Sequence, residues 1–347
     1  MRVLITGGTG FVGSHVVAAA IRAGHDVKLL VRRPERVQAA LAPLGVDDVD
    51  SVTGDVLDAA SVQAAVEGCD ALINAAAVFS LDRGEADKML ATNTRATEIV
   101  LEAAIGAELD PIVHVSSYVA LLPSQDVVGP NSPVGVGAPP YARSKAQSEL
   151  IARRYQAEGA PVVTTYPGAV VGPDDPYVGE SDFMIAMILR NRVPFALPGG
   201  WPIADVRYVA NGHAAILEPG RGPRRYLLTG HWQTWRELYA SLRGVTGRRL
   251  PAVPTPGFLG RASGRAMDGL QRLTRARPPF SHEGSWIVTR CRGTDDAATR
   301  QDLEIKPPPL EQTLADTIRW MVESGHLPAS LAGEVASGQQ ASQVSPD

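Results

Sequence analysis

The sequence is poor in cysteine: its 347 residues include only Cys69 and Cys291. Two thiols in a chain of this length exclude the disulfide framework that stabilises many small secreted domains. A chain with so few thiols is typical of a reducing compartment, and we therefore expect a cytoplasmic protein.

Long apolar runs and an excess of positive charge are also missing. No run approaches the ~18 residues of a membrane span, which argues against an integral membrane protein. Residues 6–10 are glycine and threonine, and they interrupt the apolar run that a secretion signal needs. The net charge of −4 argues against a nucleic-acid-binding protein, which usually carries a basic excess. With 44% hydrophobic and 20% charged residues, the chain can form a packed core.

Strand and helix patterns alternate along the first half of the sequence. This alternation is typical of a parallel sheet with helices on both faces. Strands are predicted at residues 2–6, 26–31, 51–53, 71–75, 112–116 and 162–166. Helices are predicted at residues 12–23, 34–42, 59–66, 87–105 and 141–157.

The alternation stops after Gly172. Short strands are predicted at 205–208 and 226–229, and helices at 181–190, 235–245 and 310–324. The last stretch is rich in Ser, Gln, Gly and Ala, which predicts a flexible tail. We therefore divide the chain into an α/β domain at 1–172, a smaller, mostly helical region at 173–329, and a tail at 330–347. A strand near 205–230 is expected to return to the first sheet.

A glycine-rich loop separates the first predicted strand from the first helix. Gly7 allows a tight turn, Gly10 lets the backbone approach a pyrophosphate, and Gly13 lets the helix pack closely on the strand. The helix N-terminus offers free N–H groups to phosphates. This context predicts a Rossmann-type doubly wound sheet that binds a dinucleotide, the alternative being a glycine turn without a ligand. The expected contacts are Gly7, Thr9, Gly10, Phe11, Val12 and Gly13.

The end of the second strand indicates which dinucleotide binds. NAD-binding proteins usually carry an acidic residue there for the ribose 2′-hydroxyl, whereas this strand is followed by Arg32 and Arg33. A guanidinium pairs well with a 2′-phosphate, so NADP(H) is favoured over NAD(H), unless the two arginines simply form a solvated loop. After the third strand, Asp55 and the N–H of Val56 are expected to contact adenine, with a helix N-cap as an equal alternative.

Tyr141 and Lys145 have the spacing that places both side chains on one face of a helix. A nearby cation favours a phenolate, so the lysine is expected to lower the pKa of the tyrosine and suit it to acid–base chemistry. Ser116 and Ser117 follow the fifth strand, at the sheet edge where such folds bind ligands. A hydroxyl there can orient a substrate carbonyl. No cluster of His, Cys, Asp or Glu has metal-ligand spacing, so we expect no metal.

Together these motifs resemble the extended branch of the short-chain dehydrogenase/reductase superfamily, which includes the NAD-dependent epimerase/dehydratase family. The resemblance covers roughly residues 1–250. Within it, the sequence is most similar to the dihydroflavonol-reductase and 3β-hydroxysteroid-dehydrogenase group. The resemblance to the superfamily is carried by the glycine loop, Gly54-Asp55, Asn74-Ala75-Ala76-Ala77, Asn93, Ser116-Ser117, Tyr141 with Lys145, 166–173 (YPGAVVGP) and 205–210 (DVRYVA).

The resemblance implies a role for each matching residue. Tyr141 would exchange a proton with the substrate, and Lys145 would bind the nicotinamide ribose and lower the pKa of the phenol. Ser117, with Ser116 as second choice, would polarise the substrate, and Asn93 would support a proton relay unless it is a plain polar helix residue. Further cofactor contacts would come from Ala75, Ala76, Ala77, Pro167, Gly168 and Val170.

Local departures from the family patterns favour one reaction. Residues 118–121 (YVAL) and 164–168 (TTYPG) differ from the patterns usual in nucleotide-sugar enzymes. We therefore expect an NADP(H)-dependent reductase or dehydrogenase that moves hydride between nicotinamide and a carbonyl or alcohol. A nucleotide-sugar epimerase or dehydratase is the alternative, and a non-enzymatic NADP-binding sensor is a third reading.

The substrate is expected to be a small, apolar molecule bound by the second region. The candidate lining residues are Phe79, Pro123, Tyr177, Phe183, Met184, Met187 and Trp201, although core packing explains any one of them equally well. The arginine-rich segment 261–277 either attracts an anionic substrate or a membrane surface, or is a solvated helix face. No nucleic acid is expected as a partner, and a homodimer is the assembly we consider.

Overall fold

The computed structural model describes residues 1–78, 86–137, 139–274 and 279–337. Its centre is a seven-stranded sheet in which every neighbouring pair is parallel, in the order β10-β6-β5-β4-β1-β2-β3. The predicted doubly wound α/β fold is confirmed. The strands are β1 (Arg2–Thr6), β2 (Asp26–Val31), β3 (Asp50–Thr53), β4 (Ala71–Asn74), β5 (Ile112–Val115), β6 (Val162–Pro167) and β10 (Arg224–Leu228).

The remaining strands of the described residues form two smaller sheets. One has the order β11-β9-β7 and the other pairs β12 with β8. These strands are β7 (Ala169–Val171), β8 (Phe195–Ala196), β9 (Gly200–Asp205), β11 (His231–Thr234) and β12 (Val253–Pro254).

Helices cover both faces of the central sheet and make up most of the C-terminal region. They are α1 (Phe11–Arg22), α2 (Val37–Leu41), α3 (Ala59–Val66), α4 (Ala86–Gly106), α5 (Pro140–Ala157), α6 (Glu180–Leu189), α7 (Val206–Ala215), α8 (Trp235–Thr246), α9 (Gly257–Thr274), α10 (His282–Arg290), α11 (Ala297–Asp302) and α12 (Leu310–Glu323). In the part of the chain that the structure describes, no helix is long and apolar enough to cross a membrane.

The hydrophobic core explains why the central strands are apolar at successive positions. Val3, Leu4 and Ile5 of β1 are all fully buried because each face of the sheet is covered. Val3 and Ile5 pack toward α1, whereas Leu4 packs in a separate cluster with residues of α3, α4 and α5. A third cluster joins α6, α8 and α12 in the C-terminal region.

Two sequence-based expectations differ from the structure. The strand predicted at 205–208 is instead the end of β9 followed by α7, because the carboxylate of Asp205 accepts the Arg207 N–H and begins a helix. The prediction of a flexible tail from residue 330 is also wrong for its first part. Short 3-10 turns occupy Ala329–Leu331 and Gly333–Ser337, and Ala332 is fully buried; residues 338–347 lie outside the described part.

Asp205 connects three elements at the junction between the central sheet and the C-terminal region. Its buried carboxylate pairs with the Arg207 guanidinium at 2.6 Å and accepts a hydrogen bond from the Thr313 hydroxyl of α12 at 2.8 Å. Arg207 also pairs with Asp316 of α12 at 2.9 Å. Loss of the Asp205 carboxylate would leave the buried Thr313 hydroxyl without this acceptor and Arg207 with Asp316 alone.

We expect Asp205→Ala to lower the free energy of unfolding by about 3 kcal/mol, since it removes a helix cap and a buried ion pair together. Asp50→Ala is the control, because Asp50 pairs with Arg2 while half exposed and its loss should cost less than about 1 kcal/mol. Thermal and denaturant unfolding of both variants measure the difference. Equal losses in the two variants would contradict the role of Asp205.

Candidate active site

The glycine loop brings β1, α1 and β4 into close contact. Gly7 has a φ of +73°, and a Cβ on it would lie 2.7 Å from the backbone of Ala75. A Cβ on Gly13 would lie 2.0 Å from the Gly7 carbonyl oxygen. Both positions therefore require glycine, and neither one has a side chain that would occupy space beside the loop.

Helix α1 begins immediately after Gly10 at this sheet edge. No side chain of the described residues caps its N-terminus, so the first N–H groups face the loop. Thr9, Phe11 and Val12 lie at the same turn, and all three are partly buried. The predicted phosphate contacts are thus grouped around one helix N-terminus.

The predicted ribose and adenine contacts follow the next two strands. Arg32 and Arg33 are exposed just beyond β2. Asp55, beyond β3, accepts the Leu57 N–H at 3.0 Å, with Val56 partly buried beside it. Asp58, and not Asp55, is the N-cap of α3. The N-cap alternative for Asp55 is therefore wrong.

Ala75, Ala76 and Ala77 extend from β4 past the glycine loop. The hydroxyl of Thr6 donates to Asn74 at 2.7 Å and accepts the Ala76 N–H at 3.2 Å. Next to them, the side chain of Asn93 bonds both backbone groups of Val78 at 2.8 Å and donates to Ser144 at 2.9 Å. Asn93 is thus a buried link between α4, the loop after β4, and α5, and not a plain polar helix residue.

Tyr141 and Ser117 meet on the wall of a cavity. Ser117 follows β5, Tyr141 lies in the first turn of α5, and their hydroxyls share a hydrogen bond. Pro167 ends β6 and the neighbouring Gly168 lines the same cavity, while Val170 of β7 packs with Val12 against a small cluster beneath the glycine loop. The structure therefore brings the predicted residues to one edge of the sheet.

The pKa of Tyr141 moves opposite to the sequence-based expectation. Burial raises it well above its ordinary value, and the nearby carboxylate of Glu283 raises it further, whereas the hydrogen bond from Ser117 lowers it. The predicted lowering of this pKa is wrong, because burial and Glu283 shift it upward. Tyr141 is consequently a protonated phenol at neutral pH.

Lys145 has an unusual environment of its own. Burial lowers its pKa to about 8, although the carboxylate of Glu149 opposes this effect. Glu149 is itself buried and accepts from Arg153 at 2.7 Å and from the Tyr166 hydroxyl at 2.6 Å. His114 of β5 lies near Lys145, and burial together with that ammonium lowers its pKa to about 3.

Glu283 is a site residue that the sequence analysis missed. It lies in the first turn of α10 and is buried, and its Oε1 accepts the Ala142 N–H at 2.9 Å. Ala142 follows Tyr141 in the first turn of α5, where N–H groups have no partner within the helix. Glu283 therefore caps the helix that carries Tyr141 and Lys145.

The cavity has a volume of about 410 Å³ and lies between the sheet edge and the C-terminal region. Trp201 and Trp235 line it and stack with ring centroids 6.1 Å apart. Most of the other lining side chains are apolar, including Met184, Val193, Phe195, Leu197, Phe280 and Ile287. Glu180, Ser181 and Gln271 supply polar groups.

Two of the predicted lining residues, Met184 and Trp201, line the cavity. The other predictions are wrong where they can be checked, because Pro123 and Tyr177 are exposed, while Phe183 and Met187 do not contribute to the wall. Phe79 lies outside the described residues. Within the described ranges, no group of three or more His, Cys, Asp or Glu residues could hold a metal ion.

Comparisons with known proteins place this geometry in a family. The chain is 28% identical to sterol demethylase protein B of Methylococcus capsulatus over 337 residues, covering 94% of this chain and 99% of that protein. It is 27% identical to a putative dihydroflavonol 4-reductase of Synechocystis over 335 residues, covering 93% of this chain and 95% of that protein.

Solved structures give the same result for the fold. A nucleoside-diphosphate-sugar epimerase from Pseudomonas aeruginosa superposes with a TM-score of 0.74 at 24% identity, covering 94% of this chain and 99% of that one. The sequence profile of the NAD dependent epimerase/dehydratase family matches residues 3–226. The chain therefore belongs to the NAD dependent epimerase/dehydratase family.

Proposed function

We propose that this protein is an NADP(H)-dependent oxidoreductase that interconverts a carbonyl and an alcohol on an apolar substrate. The observation that carries the proposal is the position of Tyr141 and Ser117 on the wall of a cavity that is otherwise mostly apolar. A phenol and a hydroxyl at one end of such a cavity can hold a carbonyl oxygen, while the apolar wall holds the remainder of the substrate.

The residues at the sheet edge fit a nicotinamide dinucleotide. The backbone at Gly7 and Gly13 leaves no room for side chains, and the uncapped N-terminus of α1 suits a pyrophosphate. Arg32 and Arg33 suit a 2′-phosphate, and Asp55 has a position suited to adenine. When bound, this cofactor supplies hydride-transfer chemistry.

Tyr141 acts as the proton donor in the direction of reduction. Because burial and Glu283 keep its phenol protonated, Tyr141 can give that proton to the carbonyl oxygen as the carbonyl becomes an alcohol. Ser117 hydrogen-bonds the same phenol and orients the carbonyl. In oxidation, the same tyrosine must first lose its proton, which its raised pKa disfavours at neutral pH.

Lys145 and Asn93 hold the proton-transfer group in place. With a pKa of about 8, Lys145 is mostly an ammonium at neutral pH and can bind ribose hydroxyls. Asn93 fixes the loop after β4 against α5 through Val78 and Ser144. We assign Asn93 a positioning role because its amide bonds those protein groups directly.

The curated relatives support an apolar substrate. A sterol demethylase protein and a dihydroflavonol reductase both match nearly the whole chain, and the stacked tryptophans of this cavity suit a ring system. The alternative of a nucleotide-sugar epimerase or dehydratase is consistent with the structural neighbours. Turnover measured with a panel of sterols, aromatic ketones and nucleotide sugars, in the presence of NADPH or NADP⁺, distinguishes the oxidoreductase from the nucleotide-sugar enzyme.

We expect Tyr141→Phe to reduce carbonyl reduction by roughly 100-fold or more, because general acid catalysis contributes that much. NADPH binding, measured by fluorescence titration, should persist. Tyr155→Phe is the matched control on the same helix, since its hydroxyl donates to Glu102 outside the cavity. Full activity in Tyr141→Phe would remove Tyr141 from the mechanism, and cofactor binding without turnover in the wild type would support a sensor.

NADPH should raise the melting temperature more than NADH at equal concentration, because only NADPH carries the 2′-phosphate that Arg32 and Arg33 are proposed to bind. Replacing both arginines by serine should weaken NADPH binding by roughly tenfold or more and leave NADH binding nearly unchanged. Arg95→Ser on the exposed face of α4 is the control. Equal thermal shifts for the two cofactors in the wild type would refute the preference for NADP(H).

Glu283→Gln should lower the pKa of Tyr141, because it removes the negative charge and keeps an oxygen that can accept the Ala142 N–H. The acidic limb of the pH profile for alcohol oxidation should then move to lower pH, by about one unit. Glu283→Ala should move it similarly and also lower stability by about 1 kcal/mol through the lost cap. An unchanged limb in Glu283→Gln would show that this carboxylate does not act on Tyr141.

A further inference from the structure

Helix α9 packs onto the protein through its small and polar residues. A Cβ on Gly260 would lie 2.4 Å from the Leu197 side chain, and one on Gly264 would lie 2.6 Å from the backbone of His282. Asp268 accepts the His282 N–H on the same side, and Gln271 lines the cavity. The inward face of α9 therefore includes glycines and polar residues at the positions where large apolar side chains are usual.

The outward face of α9 is apolar. Phe258 is 64% exposed and Leu270 is 48% exposed, and the exposed residues Ala262 and Ala266 lie between them at four-residue spacing. Leu259 is exposed beside Phe258. This arrangement reverses the usual amphipathic pattern, in which the apolar stripe faces the core. An apolar stripe of this kind marks an interaction surface.

The sequence around this stripe is rich in arginine although the chain is acidic overall. Residues 248–280 contain seven arginines and one acidic residue, whereas the whole chain has a net charge of −4. The acidic residue is Asp268, whose carboxylate is directed at α10. Arg265 is exposed beside the apolar stripe. A partner for this surface must therefore combine apolar groups with negative charge.

We propose that the outward face of α9 docks on the surface of an anionic lipid bilayer. Phe258, Leu259 and Leu270 would enter the boundary between headgroups and acyl chains, and Arg265 would contact the anionic headgroups. Gln271, next to Leu270 in sequence, lines the cavity. Docking through this helix would bring the wall of an apolar cavity within one helix diameter of the membrane.

Two other occupants fit the surface less well. A second copy that met this face through a twofold axis would bring the exposed Arg265 of each copy to the same interface, and like charges repel. The chain's own residues 338–347 contain one valine and one aspartate, which offers little apolar area or negative charge.

Flotation with lipid vesicles tests the proposal on the full-length protein and does not depend on the reaction proposed above. The protein should float with phosphatidylcholine vesicles that contain phosphatidylglycerol, and high salt should weaken this binding. Little protein should float with phosphatidylcholine alone. Absence of flotation with the anionic vesicles would overturn the proposal.

The variants Phe258→Glu and Leu270→Glu should each lower the partition coefficient at least tenfold, and Arg265→Gln about fivefold. Val136→Glu is the matched control, because Val136 is 80% exposed and lies outside α9, on the loop that precedes α5. The rise in melting temperature that NADPH causes should be the same in every variant as in the wild type. This would show that each variant is folded. If Leu270→Glu floated to the same extent as the wild type, the proposal would be overturned.

Two further measurements test the other occupants. Sedimentation that shows a dimer in the wild type and a monomer in Leu270→Glu would overturn the proposal in favour of self-association. Flotation that appears only after removal of residues 338–347 would show that the chain's own tail covers the face.

Discussion

The close contact between Gly13 and the carbonyl oxygen of Gly7 constrains the whole cofactor edge. A methyl group at Gly13 would lie 2.0 Å from that oxygen, so α1 can rest on β1 only without a side chain there. Gly7 has an equivalent restriction against Ala75. These contacts bring the ends of β1 and β4 together with the N-terminus of α1, and the rest of the sheet extends outward from this point.

Much of the fold could be predicted because its signals are local. The glycine loop, the strands on either side of it and the spacing of Tyr141 and Lys145 each occupy a few consecutive residues. The strand predicted at 205–208 was wrong. Val206 and Tyr208 suit a strand, but Asp205 accepts the Arg207 N–H and caps α7, a local signal that the strand prediction overlooked.

The acidity of the site could not be predicted, because it depends on contacts between distant parts of the sequence. Glu283 is 141 positions from Ala142, and nothing near it in sequence indicates that its carboxylate caps α5. A tyrosine with a lysine four residues later suggests a lowered phenol pKa. Burial and Glu283 reverse that expectation. The cavity wall was equally hard to predict, since apolar residues in the core and in the wall have the same composition.

The hydrogen bond between Glu283 and Ala142 has a consequence for how such proteins diversify. The C-terminal region supplies most of the cavity wall, and it also supplies the carboxylate that, after burial, raises the pKa of Tyr141. A chimera that exchanged this region to accept another substrate would exchange that carboxylate as well. Substrate choice and pH optimum would therefore be inherited together in this chain.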